Sequence, residues 1–267
     1  MSAAGATPKF SANLSMLFQE VPFMERFAAA AKLGFKAVEF MFPYDYAIAD
    51  LKAALTDNGL KLVLINLPAG NFGAGERGIA VNPARQKEFR AGVTRAIEYA
   101  QALGVPQINC LVGKTLPDVP VAEQRAALVA NLRYAAEALG QAGIRLLVEH
   151  LNSRDVPGFF LDTTGKVLDI LDAVAHPNAY LQYDVYHAQR MEGELAGILK
   201  TNLARIAHVQ IADNPGRHQP GTGEIAYRWL LAEFMATGYD GYIGLEYAPT
   251  PNTAGSLGWI RDYGYSL

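Results

Sequence analysis

Four polar side chains stand directly after runs of aliphatic residues, and their chemistry suits a metal ion. They are Glu149, Asp184, Gln210 and Glu246. Near-continuous aliphatic runs are typical of parallel strands that are covered on both faces. In a parallel α/β barrel the carboxyl ends of the strands converge on one mouth, so these four groups could share one site. Three carboxylates and an amide offer oxygen donors only, which suits a hard divalent cation such as Mg2+ or Mn2+.

The spacing of the four residues supports a common site. Asp184 follows Glu149 by 35 residues, Gln210 follows after 26 more and Glu246 after another 36. Each interval is long enough for one crossover helix and the next strand. A single acid after a strand is more often a solvated loop residue or a helix cap, so the argument depends on all four occurring together.

A histidine and a glycine-rich segment are interpreted as supporting features and not as metal ligands. His208 lies two residues before Gln210, and the strand period of two therefore places it one layer beneath Gln210, behind the site. Four glycines between Leu67 and Gly78 indicate the most mobile connection in the chain. This segment lacks the glycine spacing of a nucleotide-binding loop, so a phosphate cradle is rejected.

Strand-like and helix-like segments alternate eight times along the chain, which favours a parallel sheet over a bundle or a sandwich. Strands are expected at residues 9–13, 37–40, 60–66, 107–111, 144–149, 179–184, 206–210 and 242–246. Helices are expected near residues 21–33, up to 58–59, at 85–103, 123–141, 166–175, 195–204 and 226–237, and around Trp259. A length of 267 residues is about the size of one (β/α)8 barrel. We predict a flexible tail over residues 1–8 and a single α/β domain, a TIM-barrel catalytic domain, over residues 9–267.

Composition narrows the choice of partners and compartment. A net charge of -3 and a pI near 6.0, without a Lys/Arg cluster, give no basis for binding nucleic acid or an anionic membrane. The lone Cys110 cannot form an internal disulfide, and the first residues lack the features of a signal peptide. No apolar run approaches the roughly 18 residues of a membrane helix. A cytoplasmic protein is expected, and the oligomeric state stays open, with a homo-oligomer among the options.

Long segments of the chain resemble the hydroxypyruvate isomerase family, within the xylose-isomerase-like group of TIM barrels. The segments are Phe10–Phe18, Val38–Tyr46, Asn66–Gly70, Gly75–Ala80, Ile108–Thr115, Gln182–His187, Arg190–Leu195 and His208–Pro215. The resemblance implies a metal-dependent, aldose–ketose type isomerisation of hydroxypyruvate, a small hydroxy-keto acid, to tartronate semialdehyde. It also implies metal ligands at Glu149, Asp184, Gln210 and Glu246. Sugar epimerases of the group have His where this chain has Gln210, and family members often have Pro where it has His150.

This reaction moves a proton between adjacent carbons through an enediolate, whose negative charge a divalent cation stabilises. Our hypothesis is that Glu149 and Glu246 flank the substrate and carry out the proton transfers while also binding the metal. His187 and Arg217 resemble substrate-binding positions of the sugar epimerases. Arg217 would suit a substrate carboxylate through a two-pronged contact, and Lys114 or Arg77 could serve instead.

Four other functions remain as alternatives. A 2-oxo-tetronate isomerase or a ketose 3-epimerase would use the same scaffold. A nuclease similar to endonuclease IV would need a basic face and a histidine-rich zinc cluster, whereas this chain has five histidines and a net negative charge. A sugar-binding protein without catalysis would not need two acid/base groups at one metal.

Overall fold

The computed structural model describes residues 7–267 and confirms a closed parallel barrel of eight strands in chain order, with the last strand paired to the first. The strands are β1 (Lys9–Asn13), β2 (Ala37–Glu39), β3 (Lys61–Asn66), β4 (Gln107–Cys110), β5 (Arg145–Glu149), β6 (Ala179–Asp184), β7 (Ile206–Ile211) and β8 (Tyr242–Leu245). Every expected strand is present, and its ends agree within one residue. The first six residues of the expected tail lie outside the described residues, and Pro8 is buried beside the start of β1.

Helices surround the barrel between successive strands. They are α1 (Arg26–Lys32), α2 (Ile48–Asp57), α3 (Gln86–Leu103), α4 (Val121–Gln141), α5 (Thr164–Val174), α6 (Val185–Met191), α7 (Leu195–Asn202), α8 (Tyr227–Ala236) and α9 (Gly258–Asp262). Their apolar faces bury side chains such as Phe27, Val93 and Leu132 against the outer face of the sheet. In residues 7–267, no helix combines the length and the apolar character that crossing a bilayer requires.

Two helices differ from the sequence prediction. Helix α1 begins later than residue 21, because Pro22 is extended and residues Phe23–Glu25 form a separate 3-10 turn. The pattern does not predict α6, which follows β6 without a loop. Asp184 caps this helix, since its Oδ1 accepts a hydrogen bond from the Tyr186 N–H at 2.8 Å. No loop separates α6 from β6, so nothing in the pattern marks where this helix begins except its capping residue, Asp184.

The inside of the barrel changes from apolar to polar along the strands. A small apolar cluster that comes only from strands includes Ala37, Val63 and Leu147. Side chains two residues apart on a strand share a face, so Glu149 lies above Leu147 on the inner face of β5. The polar layer at the carboxyl ends of the strands is therefore supported by an apolar floor.

Candidate active site

A cavity of about 290 Å³ opens at the carboxyl ends of the strands. Its size suits a small ligand, and it is lined by polar groups from several strands with an apolar rim. The polar and charged lining residues are Asn13, Glu39, Asn66, Arg77, Glu149, Asp155, Gln182, His187, Gln210, Arg217 and Glu246.

The predicted acids converge on this cavity. Glu149, Asp184 and His187 each place a potential ligand atom within 4.8 Å of the others, a group that could hold a metal ion. Glu246 joins them through Arg217, whose Nη2 lies 2.7 Å from Glu246 Oε2 and 3.7 Å from Asp184 Oδ2. The barrel therefore brings together acids that are far apart in the sequence.

The carboxylates of Glu149, Asp184 and Glu246 lie close together, and Arg217 does not offset their mutual repulsion. Burial, followed by the neighbouring carboxylates of Glu246 and Asp184, raises the pKa of Glu149 well above its ordinary range. Burial also raises the pKa of Asp184, and it raises the pKa of Glu246 to about 8, although Arg217 opposes both shifts. Asp184 Oδ2 is buried and has no hydrogen-bond partner among the described residues. A cation bound here would relieve the repulsion and use the orphaned oxygen, so these residues fit a metal ion.

The raised pKa values predict that the metal-free protein loses stability as the pH rises from about 7 to 8.5. Above the ordinary pKa of 4.5 the unfolded chain has released protons that folded Glu246 keeps until about pH 8. The folded state therefore binds more protons, and the free energy of unfolding falls with rising pH. We expect a fall of about 1 kcal/mol, since one proton corresponds to about 1.4 kcal/mol per pH unit.

Urea unfolding in the presence of a chelator measures this slope. Glu246→Gln cannot titrate and should give a flatter profile. A wild-type stability that rises over the same range would contradict the assigned direction of these pKa shifts.

His187 is positioned as a neutral hydrogen-bond donor. Its Nδ1 accepts a hydrogen bond from the Asn152 N–H at 3.1 Å, so the neutral ring carries its proton on Nε2. Nε2 lies 3.5 Å from Asp184 Oδ2. Burial, followed by the nearby positive charge of Arg217, lowers the pKa of His187 well below its ordinary value. This tautomer favours donation to a ligand over coordination of a metal through Nε2.

Arg217 is held in the loop between β7 and α8. Its backbone adopts a left-handed conformation with φ of 53°, which is uncommon for a residue other than glycine. The buried Asp213 organises this loop because its carboxylate accepts four backbone N–H bonds, from Asn214, Gly221, Gly223 and Ile225, at 2.9–3.1 Å. The guanidinium of Arg217 also lies over the Tyr186 ring, 5.0 Å from its centre.

Arg77 and Lys114 occupy different places. Arg77 lines the cavity and stacks on Phe72 at 4.0 Å, and its Nη1 donates to the backbone carbonyls of Phe72 and Glu76 at 3.1 and 2.8 Å. Lys114 instead lines a neighbouring cavity, which it shares with Arg77 and Arg85. Of the eight site residues predicted from the sequence, Lys114 is the one that the structure sets apart from the others.

Glu39 is a residue of the cavity that was not among those predicted from the sequence. This fully buried acid ends β2 and contacts Ser11, Asn13, His208 and Gln210. Burial alone would raise the pKa of Glu39, but His208 and hydrogen bonds from Gln210 and Ser11 hold it below its ordinary value. Glu39 follows Ala37 and Val38 as Glu149 follows its own apolar run, so the strand-end pattern contained the signal that would have found it.

The loop over residues 70–78 forms one wall near the mouth. Within it, Asn71 N–H donates to Glu76 Oε2 at 2.5 Å, and Glu76 also pairs with Arg85. At its end the backbone of Gly78 lies against Leu111 and Gly113 in the loop after β4. The mobility that its glycines suggest stays a prediction.

Comparison with known proteins places these features in a family. The sequence model of the xylose isomerase-like TIM barrel family matches residues 27–263. The chain is 51% identical to the hydroxypyruvate isomerase of Escherichia coli strain K12 over 96% of its own length and 99% of that protein. It is 44% identical to the 2-oxo-tetronate isomerase of Cupriavidus necator, over 96% and 98% of the two chains. A crystal structure described as an AP endonuclease, family 2, from Brucella melitensis superposes with a TM-score of 0.93 at 40% identity, covering 96% and 99%.

Proposed function

The chain belongs to the hydroxypyruvate isomerase family of xylose isomerase-like TIM barrels, and from this we propose that it interconverts hydroxypyruvate and tartronate semialdehyde. The observation that carries the proposal is a pair of buried glutamates, Glu149 and Glu246, with raised pKa values beside Asp184 in one small cavity. An isomerisation of this type needs groups that can both accept and return a proton near neutral pH.

We propose that Glu149, Asp184, Gln210 and Glu246 hold a divalent cation, with Mg2+ or Mn2+ as the activating ions. The all-oxygen donor set and the orphaned Asp184 Oδ2 support this assignment. When bound, the cation would act as a Lewis acid for the negative charge that develops on the substrate oxygens.

Glu149 and Glu246 are proposed as the proton-transfer groups. Asn109 Nδ2 donates to Glu149 Oε2 at 2.8 Å, and Asn13 Nδ2 donates to Glu246 Oε1 at 3.1 Å. Glu149 is thus held through one oxygen, and Glu246 through both, because Arg217 Nη2 also donates to Glu246 Oε2 at 2.7 Å. His187 would donate its Nε2 proton to a substrate oxygen.

The substrate carboxylate is assigned to Arg77 in preference to Arg217. Arg217 already pairs with Glu246 and lies near Asp184. The two hydrogen bonds of Arg77 both use Nη1, and among residues 7–267 no group accepts a bond from its Nε and Nη2 edge. The Nε and Nη2 atoms of an arginine can donate two parallel hydrogen bonds to one carboxylate. Lys114 lies in the neighbouring cavity and would serve only if the substrate extended there.

Arg77→Gln is expected to raise the KM for hydroxypyruvate about 10- to 100-fold, since hydrogen bonds to charged groups contribute about 1.5–3 kcal/mol. The value of kcat should change much less, because Arg77 does not take part in proton transfer. Steady-state kinetics measure both constants, and Lys114→Gln is the matched control that should leave them nearly unchanged. Equal KM values for wild type and Arg77→Gln would refute this assignment.

The proposed reaction is tested by incubating the Mg2+- or Mn2+-loaded protein with hydroxypyruvate, 2-oxo-tetronate and a set of ketohexoses. NMR of the products separates isomerisation from epimerisation and orders the substrates. The 44% identity to a 2-oxo-tetronate isomerase makes that activity the second candidate. Faster conversion of 2-oxo-tetronate would select it, and conversion of ketohexoses alone would overturn the proposal.

A nuclease function is not favoured, although one similar structure is described as an AP endonuclease. All five histidines lie within the described residues, and His187 is the one that lines the cavity. The group that could hold a metal contains two acids and this histidine. A cavity rich in carboxylates repels the phosphates of a nucleic acid.

A further inference from the structure

We infer that Glu39 sets the direction of the Gln210 amide, so that Gln210 offers its oxygen and not its nitrogen to a cation. The inference rests on the ligand set proposed above. Glu39 is a positioning residue in this role, because it acts on the cation through Gln210.

A glutamine ligand has two possible orientations. Its amide oxygen can bind a cation, whereas its NH2 group is a donor and would point two hydrogens at the positive charge. The two orientations have nearly the same shape, so packing alone does not select one. A neighbouring group with a fixed hydrogen-bonding character is needed.

Glu39 has this fixed character because an ionised carboxylate only accepts hydrogen bonds. Its Oε1 accepts from Gln210 Nε2 at 2.8 Å. On the other side of the amide, Gln182 Nε2 donates to Gln210 Oε1 at 2.6 Å. Turning the Gln210 amide would place its oxygen against the carboxylate of Glu39, a repulsive contact between two acceptors. It would also place the NH2 of Gln210 against the NH2 of Gln182, so the Gln182 amide would have to turn as well.

The carboxylate of Glu39 is itself fixed. Its Oε2 accepts from Ser11 Oγ at 2.8 Å and lies 2.8 Å from His208 Nε2. Asn13 Nδ2 donates to Oε1 at 3.3 Å. Gly244 leaves the space that the carboxylate occupies, because a Cβ at that position would lie 2.4–2.5 Å from both oxygens. Groups from β1, β7 and β8 therefore hold Glu39 in one place.

The test is the affinity of the metal-free protein for Mn2+, measured by calorimetry without substrate. Glu39→Gln replaces an obligate acceptor by an amide that can also donate, which frees Gln210 to turn. We expect the Mn2+ affinity to fall about 10- to 100-fold, the usual cost of losing a group that orients a metal ligand. Ser11→Ala is the matched control, because it removes one hydrogen bond to Glu39 and leaves the Gln210 contact; it should change the affinity by less than about 3-fold.

The double variant Glu39→Gln/Gln210→Glu separates positioning from a general structural role. It keeps the net charge of the wild type, and a carboxylate at position 210 presents oxygen in either orientation. We expect the double variant to regain Mn2+ affinity to within a few fold of the wild type. If Glu39→Gln alone does not fold, the double variant is compared with the wild type instead.

Three results would overturn the inference. Equal Mn2+ affinity of folded Glu39→Gln and wild type would show that Glu39 does not orient Gln210. A double variant that folds but stays as weak as Glu39→Gln would assign the loss to the packing of the site. A wild-type protein that binds no Mn2+ would refute the ligand set together with this inference, and the NMR assay would still test the isomerase activity separately.

Discussion

Glu246→Gln is expected to lower kcat for hydroxypyruvate by about 10^2- to 10^4-fold, the usual contribution of general acid–base catalysis. The variant keeps the size of the side chain and removes both its charge and its ability to carry a proton. The barrel should still fold, because Glu246 lies beyond the end of β8 and contributes no apolar surface to the core. It lines the same cavity as Glu149 and contacts Arg217 and Asn13 there.

The loss should be visible in a second measurement, the exchange of the substrate C–H for deuterium in D2O, followed by NMR. An acid/base role requires that this exchange slows with kcat. Glu233→Gln, at a half-buried position of α8 where Glu233 pairs with Lys200, is a control for the substitution itself. Turnover of Glu246→Gln within a few fold of the wild type, with metal still bound, would remove Glu246 from the mechanism.

Gly78→Ala is expected to destabilise the protein by about 2–5 kcal/mol. Gly78 has φ of 106°, a conformation that costs other residues about 1–2 kcal/mol. In addition, a Cβ on Gly78 would lie 1.7 Å from the carbonyl oxygen of Leu111, so the backbone of one loop must move. Forced overpacking of this kind typically adds about 1–3 kcal/mol.

Gly75→Ala is the matched control in the same loop. Gly75 also has a positive φ, of 94°, but a Cβ there would meet no atom within 4 Å. It should cost only about 1–2 kcal/mol, the conformational penalty alone. Urea unfolding compares the two, and equal losses would show that the contact between the loops after β3 and β4 contributes nothing.

The repeated strand pattern made most of the fold predictable. Most strands contain a short apolar run, although β1 and β4 also carry polar residues, and the acids that end β5 and β6 stand out within the local sequence. The metal-binding interpretation of those acids followed from their type and from the topology of a parallel barrel. The apolar runs and the acids at their ends are local features, so they are visible in one sequence.

The partners of each acid were not predictable in this way. Gln210 contacts Glu39 across 171 positions of the chain, and only the closed barrel makes β2 and β7 side chains meet in its interior. The same applies to Arg217, whose type suggested a carboxylate of the substrate as its partner, whereas the fold pairs it with Glu246. Residue type shows what a group can bind, and the barrel determines which partner is nearest.

The four hydrogen bonds that Asp213 accepts also bear on the entropy of binding. They order the loop that carries Arg217 when the chain folds, before any ligand is present. The backbone entropy of this segment, about 1–2 kcal/mol per residue, is therefore lost during folding and is not subtracted from the affinity for the substrate. On this side of the cavity a ligand would meet a loop that is already ordered, so we expect the heat and entropy of association to report on the wall formed by residues 70–78.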